Sequence, residues 1–135
     1  MPAAMILGGS FIFRWMSRRG AGEHAMEHTG EDHIASVADL DAVFASSHEQ
    51  ATMLFLHDPW CPVSARAARQ VALVDAKVVT IDVSRQQELS REIERRTGVQ
   101  HESPQVIVIR DGVATWDASH SSIDRDSMEQ ALTAV

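Results

Sequence analysis

Cys61 is the single cysteine of a 135-residue chain, and it stands in the segment His57-Asp58-Pro59-Trp60-Cys61-Pro62-Val63-Ser64. The apolar run before it, residues 52–57 (TMLFLH), reads as a buried strand. Pro62 fits the first position of a helix, where its missing N–H costs nothing. Val63, Ala67, Val71 and Val74 follow at helical spacing along one face. Cys61 therefore falls at a strand-to-helix junction. Unpaired N–H groups and the positive end of the helix dipole face such a position. A thiolate is favoured there, and the thiolate is the species that attacks disulfides. The competing reading is a small buried hydrophobe, which is common for free cysteine. The junction favours the nucleophile.

Ser64 lies three residues on, where a C-x-x-C site holds its resolving cysteine. Its hydroxyl can donate a hydrogen bond to the thiolate, or serve as an ordinary polar group in the first helical turn. With no second cysteine, a mixed disulfide on Cys61 must be resolved by an outside thiol. An intramolecular disulfide is excluded, so this is not a disulfide-stapled secreted domain. A lone thiol suits the reducing cytosol. Ser103-Pro104 precedes a second apolar run, QVIVIR at 105–110. Proline is compatible with the start of a strand, and an X-Pro bond is where a cis peptide can occur.

The elements that must hold these residues follow from the pattern. Ser36, with Asp39 three residues later, opens a helix whose apolar face is Leu40 and Phe44. KVVTIDV at 77–83 reads as a further buried strand. Ser84 and Gln87 read as a capping box for a helix with Leu89 and Ile93 inward and Glu92–Arg96 paired outward. Gly98 ends it. Asp111-Gly112 between two apolar runs signals a hairpin. A last helix begins near Asp124, with Met128, Leu132 and Val135 on its apolar face. The order α-β-α-β-α-β-β-α describes a small mixed-sheet α/β domain with a right-handed β-α-β crossover and helices on both faces.

One domain suits this length. A net charge of −7 argues against a general nucleic-acid binder, which needs a basic face. Residues 1–33 read as an extension and linker, with the folded domain from 34 to 135. Residues 1–16 are mostly apolar, but only thirteen residues precede Arg14, too few to span a bilayer. Positive charge follows this run instead of preceding it, unlike a secretory signal. A mis-assigned start or disordered leader, a weak membrane-surface anchor and a true signal segment all stay open. Met16 and Met26 are alternative starts. His24, His28 and His33 lie in the polar stretch 17–33, which reads as solvated linker in preference to a metal site.

W-C-P-V-S at 60–64, T-G-V-Q-H-E-S-P-Q at 97–105 and D-G-V-A-T-W-D-A-S-H at 111–120 together resemble the monothiol bacilliredoxins. The resemblance runs from about Ser36 to Ala134. It implies a thioredoxin-like fold with a four-stranded sheet of order 4-3-1-2, strand 3 antiparallel to the rest. It implies that Cys61 is the redox residue, supported by Trp60, Pro62 and Ser64. Pro104 is then a cis-proline facing the cysteine, and the backbone at Ser103 pairs with an extended substrate. Trp60 looks more like ordinary thioredoxins and offers either an apolar lip or a surface-packed aromatic. The S-S-I after His120 departs from the family pattern, so His120 is assigned no role.

The activity implied is removal of bacillithiol from protein mixed disulfides, with bacillithiol as co-substrate, no bound cofactor or metal, and bacillithiolated proteins as partners. Arg66 or Arg69 and the helix N-terminus can hold the malate carboxylates of bacillithiol. A cytoplasmic monomer is expected. Two other classes fit the same residues: a non-catalytic thioredoxin-fold module that binds a partner chain, and a membrane-surface redox adaptor anchored by residues 1–16.

Overall fold

A computed structural model describes residues 31–134 of the chain. The apolar leader, the linker up to residue 30, and His24 and His28 lie outside the described residues. The elements in order are β1 (Glu31–His33), α1 (Val37–Ser46), β2 (Thr52–His57), α2 (Pro62–Val71), β3 (Lys77–Asp82), α3 (Gln87–Thr97), β4 (Gln105–Arg110), β5 (Val113–Ser119), a 3-10 turn (His120–Ser122) and α4 (Arg125–Thr133).

The strands form one mixed sheet of order β1-β3-β2-β4-β5. This corrects the four-stranded 4-3-1-2 expectation. The four expected strands keep their relative order, and β4 is antiparallel to β2 and β5. The fifth strand is Glu31–His33, which pairs in parallel with Val78–Thr80 on the outer edge of β3. These residues read as linker in the sequence, because a three-residue edge strand bonds through its backbone and needs no apolar alternation.

The central strands are covered on both sides, which is why they read as continuous apolar runs. Met53, Phe55, Val106 and Val108 pack on one face with Ala67 and Val71 of α2 and Met128 of α4. Leu54, Leu56, Ile107 and Ile109 pack on the other with Leu40 and Val43 of α1 and Leu89 and Ile93 of α3. Ser36 caps α1 by accepting the Asp39 N–H at 3.1 Å. Asp111 (φ 55°) and Gly112 (φ 78°) both take positive φ, the geometry of a two-residue hairpin turn that joins β4 to β5.

Candidate functional site

The site lies where β2 ends and α2 begins. Cys61 is the N-cap of α2, with extended backbone (φ −101°, ψ 126°) and Pro62 next in the helix. Its side chain takes no capping hydrogen bond and is partly exposed. No capping bond to the described residues engages the sulfur at the helix start.

Asp58 builds the approach to it. Its carbonyl accepts the Cys61 N–H at 3.0 Å, and its Oδ1 accepts the Trp60 N–H at 2.9 Å. Its own N–H donates to Ser64 Oγ at 3.1 Å. Sequence reasoning assigned Asp58 no role. The signal was its type and place, since Asp commonly bonds its own backbone two residues on.

Of the two roles open to Ser64, the structure shows the polar group of the first helical turn that satisfies a backbone N–H. It is 1% exposed, and the hydroxyl accepts the Asp58 N–H instead of reaching the sulfur. Val63, read as part of the buried face of α2, is 46% exposed. Ser64 takes the inward position of that first turn, where it meets the Asp58 N–H at the end of β2. Trp60 is 80% exposed, so Trp60 and Val63 leave apolar surface on either side of Cys61.

The Ser103–Pro104 bond is cis, and Pro104 is buried. Leu56 pairs with Gln105, so this segment arrives at the end of the sheet from which the Cys61 loop leaves. Gln105, 1% exposed, braces it: its Oε1 accepts the Glu102 N–H and its Nε2 donates to the Gln100 carbonyl at 2.9 Å. The His120 N–H donates to the Pro104 carbonyl at 3.0 Å, and His120 Nε2 lies 3.7 Å from Glu102 Oε1. The Ser103 hydroxyl oxygen is buried with no hydrogen-bond partner among the described residues.

Arg66 is partly buried and engages the backbone. Its Nη1 donates to the Ile123 carbonyl at 3.0 Å, tying α2 to the start of α4. Arg69 is exposed farther along the helix. No group of three or more His, Cys, Asp or Glu among the described residues can hold a metal ion. No helix among them is long and apolar enough to cross a membrane.

A solved structure described as a candidate oxidoreductase with a thioredoxin fold is similar, with a TM-score of 0.71 and 26% identity over 77% of this chain and 95% of that one. Thioredoxins of Fasciola hepatica (18% identity, TM-score 0.60, 76% of this chain and 96% of that one) and Schistosoma mansoni (19%, 0.60, 76% and 92%) share the fold. Fold and neighbours together define the class, a thioredoxin-like oxidoreductase with a thiol redox role. Within that class the assignment is closer. The family model for monothiol bacilliredoxin BrxC matches residues 32–128, and the chain belongs to that family.

Proposed function

We propose that this chain removes bacillithiol from protein mixed disulfides through Cys61. The observation that carries the reading is a single thiol at the N-cap of α2 with a buried hydroxyl, Ser64, in place of a second thiol. An enzyme so built can accept a mixed disulfide but cannot close an internal one.

In the first step the Cys61 thiolate attacks the bacillithiol sulfur. A Cys61–bacillithiol bond forms, the client–bacillithiol bond breaks, and the client sulfur leaves as a thiolate that takes up a proton. In the second step another bacillithiol thiolate attacks the bacillithiol sulfur held on Cys61. Bacillithiol disulfide leaves and Cys61 returns as thiolate. In total one free bacillithiol thiol is oxidised as the client sulfur is reduced, and both bacillithiols leave joined as the disulfide. The backbone beside Pro104 holds the client in extended form, and Trp60 and Val63 give it apolar contact. A reducing cytoplasm is the compartment in which this cycle runs.

The experiment is direct. The purified chain, a defined protein–bacillithiol mixed disulfide and free bacillithiol are mixed, and the released client thiol is measured. Catalysed release that disappears in Cys61→Ser supports the reading. Client binding without release by the wild-type chain would instead identify a non-catalytic partner module.

A further inference from the structure

His57 and Asp82 stand beside the site and take no part in the exchange as written above. His57 closes β2 and Asp82 closes β3, and the two are register partners on adjacent parallel strands. Their side chains therefore leave the sheet on the same face, from strands about 4.8 Å apart. That face is the one covered by α2. The His57 ring stacks on Phe55, with centroids 4.8 Å apart and planes 17° from parallel. Phe55 in turn packs with Ala67 and Val71 of α2. Ser64, in the first turn of α2, accepts the N–H of Asp58, the residue next to His57, so that turn lies against the end of β2 where His57 stands.

The His57 backbone and the Asp82 carboxylate are each held by hydrogen bonds. The His57 carbonyl accepts the Val83 N–H at 3.0 Å. The Asp82 carboxylate accepts the Ser84 N–H at 2.9 Å and the Ser84 hydroxyl, and Arg85 Nε lies 3.8 Å away. Burial pushes the Asp82 carboxyl up, but the Ser84 bonds, Arg85 and His57 together outweigh it and hold it below its ordinary value. Asp82 is thus a standing anion beside the imidazole. Among the described residues, the charged neighbour of His57 in the chain is Asp58, whose Oδ1 accepts the Trp60 N–H. Residues 62–65 of α2 carry no charge, and Arg66 is turned to the Ile123 carbonyl.

We propose that His57, oriented by Asp82 and Phe55, is a positioning residue for thiol exchange, its imidazolium placed beneath the first turn of α2 to stabilise the negative charge on the Cys61 sulfur. The proposal rests on Cys61 as the reacting thiol. During exchange the Cys61 electron pair forms the new S–S bond, and the pair of the broken bond departs with the leaving sulfur. Negative charge is spread along three sulfurs in the transition state, and a cation on one side lowers its energy. As pH rises and the imidazolium loses its proton, that help is lost while Asp82 stays charged. The rate–pH profile then contains a step that belongs to His57, separate from that of the thiol.

Cys61 is the only cysteine, so alkylation of the full chain by iodoacetamide reports on it alone. Rates are measured across about pH 5–9, the range in which histidine changes charge. His57→Phe keeps a stacking ring and removes the charge. It should slow alkylation about three- to tenfold near pH 6.5, as loss of one nearby charge in a partly screened site implies, and abolish the His57 step. His57→Lys keeps a charge that does not titrate near neutrality, so it should restore the rate while still lacking the step. Asp82→Asn should move the step to lower pH.

Thermal unfolding shows which variants are folded. A folded His57→Phe with the wild-type profile overturns the proposal. If that variant fails to fold, unchanged profiles in His57→Lys and Asp82→Asn overturn it. The same proteins are then assayed on the bacillithiol mixed disulfide. A His57-dependent alkylation profile with no bacillithiol turnover would overturn the proposed function and leave the role of His57 standing.

Discussion

At the end of the sheet where β2 starts, polar groups are cross-linked to one another. Ser47, 1% exposed, donates its hydroxyl to the Phe44 carbonyl at 2.6 Å and accepts the Gly112 N–H at 2.8 Å. Its carbonyl accepts the Asp111 N–H at 2.9 Å, His48 faces Asp111 at 3.6 Å, and Lys77 donates to Ser46 Oγ at 3.0 Å. At the end where β2 stops, the loop is held by bonds of Asp58 to its own neighbours. Around that loop stand an exposed indole, a thiol with no capping bond and a buried hydroxyl with no partner among the described residues. The first end spends its polar groups on joining α1 to the hairpin. Among the described residues, the second end ties the thiol, the indole and the Ser103 hydroxyl to no such cross-link.

The comparison can be tested by changing one group at a time. Cys61→Ser should abolish catalysed release of thiol while leaving the unfolding midpoint almost unchanged, since the sulfur supports no capping bond. Ser47→Ala should do the reverse. It leaves the Gly112 N–H without its acceptor and costs about 2 kcal/mol, read as a lower denaturant midpoint with unchanged Cys61 alkylation. Ser64→Ala removes the acceptor of the Asp58 N–H and should cost about 1–2 kcal/mol. Because Asp58 also holds Cys61, this variant should change stability and alkylation rate together. If Ser64→Ala altered stability alone, the loop would not depend on that bond.

Away from both ends, Glu92 is held at about 2, well below its ordinary 4.5, by hydrogen bonds from Arg95 and then Arg96. Its folded value is depressed, so the stability it contributes is present above about pH 4.5 and lost as pH falls toward 2. Glu92→Gln should therefore flatten the acid limb of a stability–pH curve and leave thiol reactivity untouched. The smallest effect belongs to Ser103→Ala. Removing a buried hydroxyl that has no partner among the described residues should leave stability unchanged or slightly raised, in contrast to Ser47→Ala. A loss as large as that of Ser47→Ala would show that Ser103 is already satisfied.

Much of this was legible in the residues, each part for its own reason. TMLFLH and QVIVIR are buried on both faces, so they declared themselves as strands without needing a period. Pro62 marked the start of α2 and Asp111-Gly112 the hairpin, because both positions require special backbone geometry. The cis bond at Ser103–Pro104 came from family resemblance, since local sequence does not choose the isomer. Glu31–His33 escaped notice because its three polar residues enter the sheet by backbone pairing. The cap of α3 was misplaced: Ser84 binds back to Asp82, and Gln86 holds the N-cap position with no side-chain bond. In that contest the nearer carboxylate won over the helix end. The packing of His57 on Phe55 and beside Asp82 depends on the register of two strands, which single-residue patterns do not reveal.

The pairing of β2 with β4 also sets an order of events during synthesis. Thr52–Leu56 must wait for Gln105–Ile109, about fifty residues later, before the sheet can close. Contacts this distant in sequence are slow to form compared with helical ones. A chain still emerging from the ribosome thus carries Cys61 well before residues 103–104 can be placed at its end of the sheet. During that interval the thiol is present without the Ser103–Pro104 segment, which the closed sheet brings to the same end as the Cys61 loop.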